Sequence, residues 1–226
     1  YDYLAEVTMS ILVRAKEKSP DAGYARDFVA LVMKSLLREI KARGIRVVAN
    51  AGGVNVSACA AALAKVAEEA GVDIKIGTVE GDDLSNRIDE LRAADVTEMF
   101  TGAPLPDNLI SANAYLGAFP IAAALDAGAD IVITGRCVDS AVTLGPLIHE
   151  FGWNADDFDQ LAAGTLAGHI IECGAQATGG NFTDWRDTVD GWDNMGYPIA
   201  ECRADGSFTI TKPENTGGLV SRLTVG

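Results

Sequence analysis

The sequence has only two histidines and four cysteines in 226 residues, and the cysteines are widely spaced. No Cys-x-x-Cys pair occurs, and no group of cysteine and histidine has the ligand spacing of a zinc site. With 48% hydrophobic residues, a chain of this size does not need a disulfide framework. A dinucleotide signature is missing too. The sequence therefore predicts no metal site and leaves the cofactor unknown.

Positive charge is also scarce, because 18 Lys and Arg residues stand against 32 Asp and Glu residues and the net charge is −14. A nucleic-acid-binding protein needs a basic stripe to replace counterions on phosphate, so we expect no nucleic-acid partner. The longest charge-free run, residues 108–125, is interrupted by Asn, Ser, Gly and Pro, so we expect no membrane partner. No signal peptide is recognised. These features favour a cytoplasmic protein that acts on a small molecule.

Short β-branched runs alternate with helical patterns over the first 171 residues. The runs at 45–49, 73–79 and 130–134 are typical of buried strands. Apolar residues at helical spacing predict helices at 4–12, 24–43, 57–70, 88–91, 120–127, 141–148 and 158–171. This alternation predicts an α/β fold with a three-layer, mostly parallel, Rossmann-like sheet and helices on both faces.

The last part of the chain differs from the rest in composition. Residues 174–197 form a glycine- and aromatic-rich stretch that predicts a long loop, and Asp205-Gly206 between two short apolar runs predicts a β-hairpin. We expect one α/β domain over residues 1–226, with residues 174–226 as a loop and hairpin extension.

The first candidate site is the segment VVANAGGVNVSA, read as strand, turn and helix. Ligands of parallel sheets collect where strands end and helices begin. At this turn the amides of Gly52 and Gly53 could hold an anion, and Asn50 and Asn55 could bind polar ligand groups. An ordinary tight turn explains the same residues equally well, so both interpretations stand.

The second candidate is ITGRCVDSAV, again a strand, a turn and a helix. Arg136 suits a bidentate grip on a carboxylate or phosphate. Asp139 is either a general base or the N-cap of the helix that starts near Ser140. Because both turns follow parallel strands, we expect them to lie close together at the carboxyl edge of the sheet.

The third candidate is the segment GTLAGHIIECGAQATGGNF. His169, Glu172 and Cys173 have the spacing of one helical face, which is suitable for acid–base chemistry and, if its thiolate were stabilised, for a nucleophilic cysteine. The alternative is a helix end with a His–Glu pair, a capping Gly174 and an inert thiol. We predict that residues 169–180 close over the same sheet edge, so that His169 or Glu172 faces Arg136 across a cleft.

Five strings together resemble the acyclic terpene utilisation protein A family: NAGGVN, SANAYLGAFPI, DIVITGRCVDSA, GTLAGHIIECGAQATGGNF and TKPENTGG. The resemblance implies bacterial breakdown of citronellol- and geraniol-type compounds through branched acyl-coenzyme A thioesters. Relatives usually open with another strand and many continue further, so this chain is expected to be a fragment. The family name describes a pathway and leaves the reaction open.

Three functions follow as hypotheses. The first is an enzyme acting on an anionic or coenzyme A-linked small molecule, of the lyase or hydratase type, with Asp139, His169 and Glu172 as acid–base groups. The second is a non-catalytic subunit of an acyl-coenzyme A enzyme complex, and the third is a nucleotide-dependent ligase that holds phosphate at the Gly52-Gly53 turn. Assembly as a homo-oligomer or with a partner subunit is compatible with each of them.

Overall fold

A computed structural model describes residues 1–226. Its main sheet has three parallel strands, β1 (Val47–Ala49), β2 (Ile76–Val79) and β3 (Ile131–Thr134), in the order β1-β3-β2. The predicted parallel sheet is confirmed, although each strand begins one to three residues later than its apolar run. Just ahead of β2 and β3, the Asp130 carboxylate accepts the Lys75 amide at 2.8 Å, so a side-chain contact precedes the regular ladder there.

Helices cover both faces of this sheet, as predicted from the βα alternation. The helices are α1 (Glu6–Lys18), α2 (Lys34–Arg43), α3 (Val56–Ala70), α4 (Ile88–Ala93), α5 (Phe119–Asp126), α6 (Ala141–Phe151), α7 (Phe158–Glu172) and α8 (Arg222–Val225). Residues of β3 alternate between two cores, because Ile131 and Ile133 pack toward α2 and α3 while Val132 packs toward α5 and α6. No helix of the structure has both the length and the apolar character needed to cross a membrane.

The helix expected over 24–43 contains one irregular turn. A π-helical turn at Phe28–Met33 runs directly into α2. A π turn closes over five residues, so Phe28 and Met33 come to the same side of the helix, and both are fully buried. The π turn therefore places both side chains in the core under β1.

The hairpin prediction is confirmed by β4 (Ile199–Cys202) and β5 (Phe208–Thr211), which pair antiparallel. Three 3-10 turns shape the preceding loop, at Gly174–Thr178, Trp185–Asp187 and Trp192–Asn194. The hairpin is attached to the main body by the Trp153 indole, which donates to the Ala204 carbonyl at 2.9 Å.

Candidate functional site

The turns after β1 and β3 lie side by side at the carboxyl edge of the sheet, as predicted. The Gly52 amide donates to the Thr134 carbonyl at 3.1 Å. A third segment joins them, because Tyr1 pairs with β1 in the parallel sense: the Tyr1 nitrogen donates to Val48 O at 2.6 Å, and the Asn50 amide donates to Tyr1 O at 3.3 Å. This pairing brings Asp2 to the same edge.

Asn50 organises the first segment. Its side chain is fully buried; its Oδ1 accepts the Tyr3 amide at 2.6 Å, and its Nδ2 donates to the Asp2 carboxylate. Asn50 therefore holds the Asp2 carboxylate in place, and no sequence pattern singled out Asp2. Direct binding of a ligand by Asn50 remains a prediction.

The other residues of the first turn also make internal contacts. The Gly53 amide donates to Asn50 O, and Gly53 has a φ of +56° with its Cα facing the Gly23 carbonyl, where a Cβ would come within 2.6 Å. At Gly52, a Cβ would come within 2.6 Å of Thr134 O. Asn55 donates to the carbonyls of Pro20 and Ala22, each at 2.8 Å. With both glycine amides engaged, the contacts seen here support the tight-turn interpretation, and a role in anion binding remains a prediction.

Arg136 is buried beneath the site, with its side chain only 4% exposed. Its Nη1 donates to Leu4 O and to Asp139 Oδ1, each at 2.8 Å, and its guanidinium stacks over the Tyr115 ring at 4.1 Å. The Asp139 side chain thus faces Arg136 and caps no helix, since α6 begins after Ser140 without a side-chain cap. The N-cap interpretation of Asp139 is wrong because the ion pair takes its carboxylate.

Asp82 supports the second turn from beneath. Its buried carboxylate accepts the Arg136 amide and the Asn113 side chain, each at 2.9 Å. A Cβ at Gly135 would collide with this carboxylate, so only glycine fits there. Sequence reasoning missed Asp82, and its partner Asn113 attracted notice only as part of the string SANAYLGAFPI.

Three carboxylates meet at the mouth of the site. The ligand oxygens of Asp2, Asp139 and Glu172 all lie within 4.8 Å of one another, and the three side chains are half-buried; we name them the carboxylate trio. Carboxylates this close suit either a shared proton or a hard cation such as Mg²⁺. The Arg136 guanidinium, paired with Asp139, already supplies one positive charge at the trio. The expectation of no metal site remains a prediction.

The surroundings of Glu172 alter its proton affinity. Burial raises the pKa of Glu172, and the carboxylates of Asp2 and Asp139 raise it further. The Cys173 thiol opposes this shift by donating to Glu172 Oε1 at 3.2 Å. That same hydrogen bond is the main reason why the pKa of Cys173 rises to about 11. Cys173 is therefore a protonated thiol near neutral pH, and its proposed thiolate is not stabilised.

His169 does not join the trio. Its side chain is exposed and lines a small cavity of about 140 Å³, which Glu172, Cys173 and residues 224–226 also line. The structure thus brings Glu172, and not His169, to the Arg136–Asp139 pair. The orientation of α7 explains the difference. Gly168 is buried against α6, and His169, the next residue, lies about 100° further round the helix axis and so points away from α6.

A glycine on α7, Gly168, sets the position of Glu172. The Gly168 Cα lies so close to α6 that a Cβ there would come within 2.8 Å of the Ser140 carbonyl. Ser140 is next to Asp139 in the chain, so this contact fixes the distance between the helix that carries Glu172 and the turn that carries Asp139.

Replacing Gly168 by Val is expected to force α7 away from Ser140. We expect a loss of about 1–3 kcal/mol in the free energy of unfolding from overpacking, with Glu172 moved away from Asp139. Gly117→Val is the matched control, since a Cβ at Gly117 meets nothing within 4 Å. Chemical denaturation measures the effect on stability, and equal losses in both variants would contradict the expectation.

Taken together, the parallel sheet with helices on both faces defines an α/β protein whose polar groups gather at the carboxyl edge, where ligands of such sheets usually bind. The chain matches the model of the acyclic terpene utilisation family protein AtuA over residues 1–226, and it belongs to that family. No curated protein and no solved structure matches it. Membership implies a role in acyclic terpene utilisation.

Proposed function

We propose that this protein is a cytoplasmic enzyme of acyclic terpene or branched acyl breakdown that performs acid–base chemistry of the lyase or hydratase type. The observation that carries the proposal is the carboxylate trio, in which Glu172 and Asp139 stand close together in different surroundings. Asp139 faces the Arg136 guanidinium at 2.8 Å, whereas Glu172 has no cation beside it and has a raised pKa. Two neighbouring carboxyl groups in different surroundings are the arrangement that paired acid and base catalysis uses.

Each group has a definite part in the proposed reaction. For hydration of an unsaturated acyl thioester, Asp139 takes a proton from water as the water oxygen bonds to the β-carbon. The carbon–carbon π bond breaks, and Glu172 gives its proton to the α-carbon. Dehydration follows the same path in reverse. Arg136 is given a positioning role, because its Nη1 already holds Asp139 and the Leu4 carbonyl.

A thermal-shift panel tests this function against its rivals. We expect branched acyl-coenzyme A esters to raise the melting temperature, since a ligand at 100 times its Kd adds about 2.7 kcal/mol of stability. The Asp139→Asn variant should keep this shift and lose turnover of the same esters. Stabilisation by ATP in place of the esters would favour a ligase. Binding without turnover in the wild type would favour a non-catalytic subunit.

A further inference from the structure

An apolar groove of about 480 Å³ lies at β1, an outer strand of the sheet, between α2 and α6. Its volume is in the range of cavities that enclose small molecules. Leu36 and Ile45 in its walls are 37% and 45% exposed, so the groove is open to solvent. An open apolar surface of this kind marks a contact site. The aliphatic side chains of its walls are Leu36, Ile40, Ile45, Val47, Val142 and Pro146. We name it the β1 groove.

The α2 wall of the β1 groove belongs to the most strongly basic segment of the chain. Residues 34–46 contain five Lys and Arg residues and one Glu, whereas the whole chain has a net charge of −14. Arg46 of this segment lines the groove itself. Complementary charge around an apolar contact favours one partner over others. The groove therefore suits an apolar group that is flanked by negative charge.

A closed turn beyond β2 carries two large apolar side chains in solvent. The ends of this turn, residues 97–104, are joined by a backbone bridge. Inside it the Glu98 carboxylate accepts the amides of Phe100 and Thr101 at 3.0 and 2.5 Å. At its tip Met99 and Phe100 are 84% and 86% exposed. The internal hydrogen bonds thus hold the turn in shape and leave both side chains uncovered. We name this turn the Met99–Phe100 tip.

Negative charge flanks the Met99–Phe100 tip. Residues 89–107 contain five Asp and Glu residues and one Arg. Ion pairs with Arg92 and Arg87 occupy the first two of these acidic residues. Those outside any ion pair are Asp95, Glu98 and Asp107. The tip is thus an apolar group flanked by negative charge, which is the chemistry that the β1 groove suits.

We propose that the Met99–Phe100 tip of one copy of this protein inserts into the β1 groove of a second copy. The tip follows β2 and the groove lies at β1, and these are the two outer strands of the sheet. No residue of 89–107 lines the groove of its own chain, so the contact joins two molecules. Two copies with a net charge of −14 repel each other at long range. A contact that sets the basic segment against an acidic one is therefore favoured over other self-contacts.

Sedimentation velocity measures the association directly and needs no turnover. We expect the wild type to associate as its concentration rises to about 1 mM, a range that detects the weak dissociation constants of small interfaces. Phe100→Glu removes the ring of the tip, and Leu36→Glu places a like charge in the groove. Each variant should weaken the association by at least about tenfold. Phe158→Glu is the matched control, because it makes the same change at another exposed phenylalanine, 72% exposed, and should associate like the wild type.

An equal mixture of the two defective variants tests whether tip and groove meet each other. The Leu36→Glu copy keeps an intact tip and the Phe100→Glu copy keeps an intact groove. We therefore expect mixed pairs at concentrations where neither variant associates alone. Unchanged circular dichroism and melting temperatures distinguish a lost contact from a lost fold. A mixture that stays monomeric, or an equal loss in Phe158→Glu, would overturn the proposal. A wild type that stays monomeric over the whole range would also overturn it and leave a different protein as the occupant of the groove.

Discussion

The Glu172→Gln variant is expected to lose at least about a hundredfold in turnover, because an amide cannot give the proton that general acid catalysis requires. The same variant should be more stable than the wild type near neutral pH. Burial and the carboxylates of Asp2 and Asp139 raise the pKa of Glu172, so its ionisation costs the folded state more than the unfolded chain. An uncharged amide of the same shape removes that cost.

The sign of the pH dependence follows from the raised pKa of Glu172. Below the ordinary value of 4.5, the carboxyl is protonated in both states and the variant and wild type should melt together. As the pH rises toward the folded pKa, the unfolded chain releases the proton first, and the wild type loses stability relative to the variant. Above the folded pKa the difference stays constant.

Thermal melts over this pH range and single-turnover assays give the two measurements. Glu69→Gln is the matched control, since it makes the same chemical change on the exposed side of α3 and should leave both unchanged. A variant that turns over normally, or that melts below the wild type at neutral pH, would remove Glu172 from the proposed mechanism. Gain of stability with loss of activity is the usual mark of a residue kept for function.

The Phe28→Ala variant is expected to lose about 3–5 kcal/mol in the free energy of unfolding, from lost apolar burial and the cavity left behind. Phe28 is fully buried, and its ring meets the rings of Tyr1 and Tyr3 edge-on, with centroids 6.0 and 5.9 Å away. These two tyrosines flank Asp2, so loss of the ring should also loosen one member of the trio. Turnover, measured without denaturant and well below the melting temperature, should fall as well.

Phe158→Ala is the matched control for this core substitution, because the same ring is deleted from a side chain that is 72% exposed. It should change stability by no more than about 0.5 kcal/mol. Chemical denaturation of both variants measures the contrast. Similar losses of stability in the two variants would contradict the core role given to Phe28.

The sheet and most helices could be predicted from the sequence because their signals are local. The runs that became β1 and β3 are continuous and β-branched, and glycine follows α2 and α3 at their left-handed ends, Gly44 and Gly71. Because β1 and β3 are parallel, the turns that follow them must meet at the same edge of the sheet. The π turn at Phe28–Met33 had no such signal, since it depends on what the helix packs against.

The site was harder to predict because its contacts link distant parts of the chain. Asp2 reaches the trio through pairing of Tyr1 with β1 and through the buried Asn50 side chain, and neither contact leaves a periodic pattern. His169 and Glu172 share a helical face by spacing alone, but the packing of Gly168 against Ser140 decides which of them reaches Asp139. Side-chain type suggested the chemistry of the site, and only tertiary packing selects the residues that perform it.

The strand order has a consequence for how the chain folds. The central strand β3 is the last of the three to be synthesised, and β1 and β2 each pair with β3 and not with one another. Neither outer strand can form its ladder until the chain has been made beyond Thr134. Pairing across such long sequence separations is slow, because loop closure costs entropy before any contact forms. On the ribosome, the apolar runs of β1 and β2 therefore wait for their shared partner β3, and this is the interval in which a chaperone would be of most use.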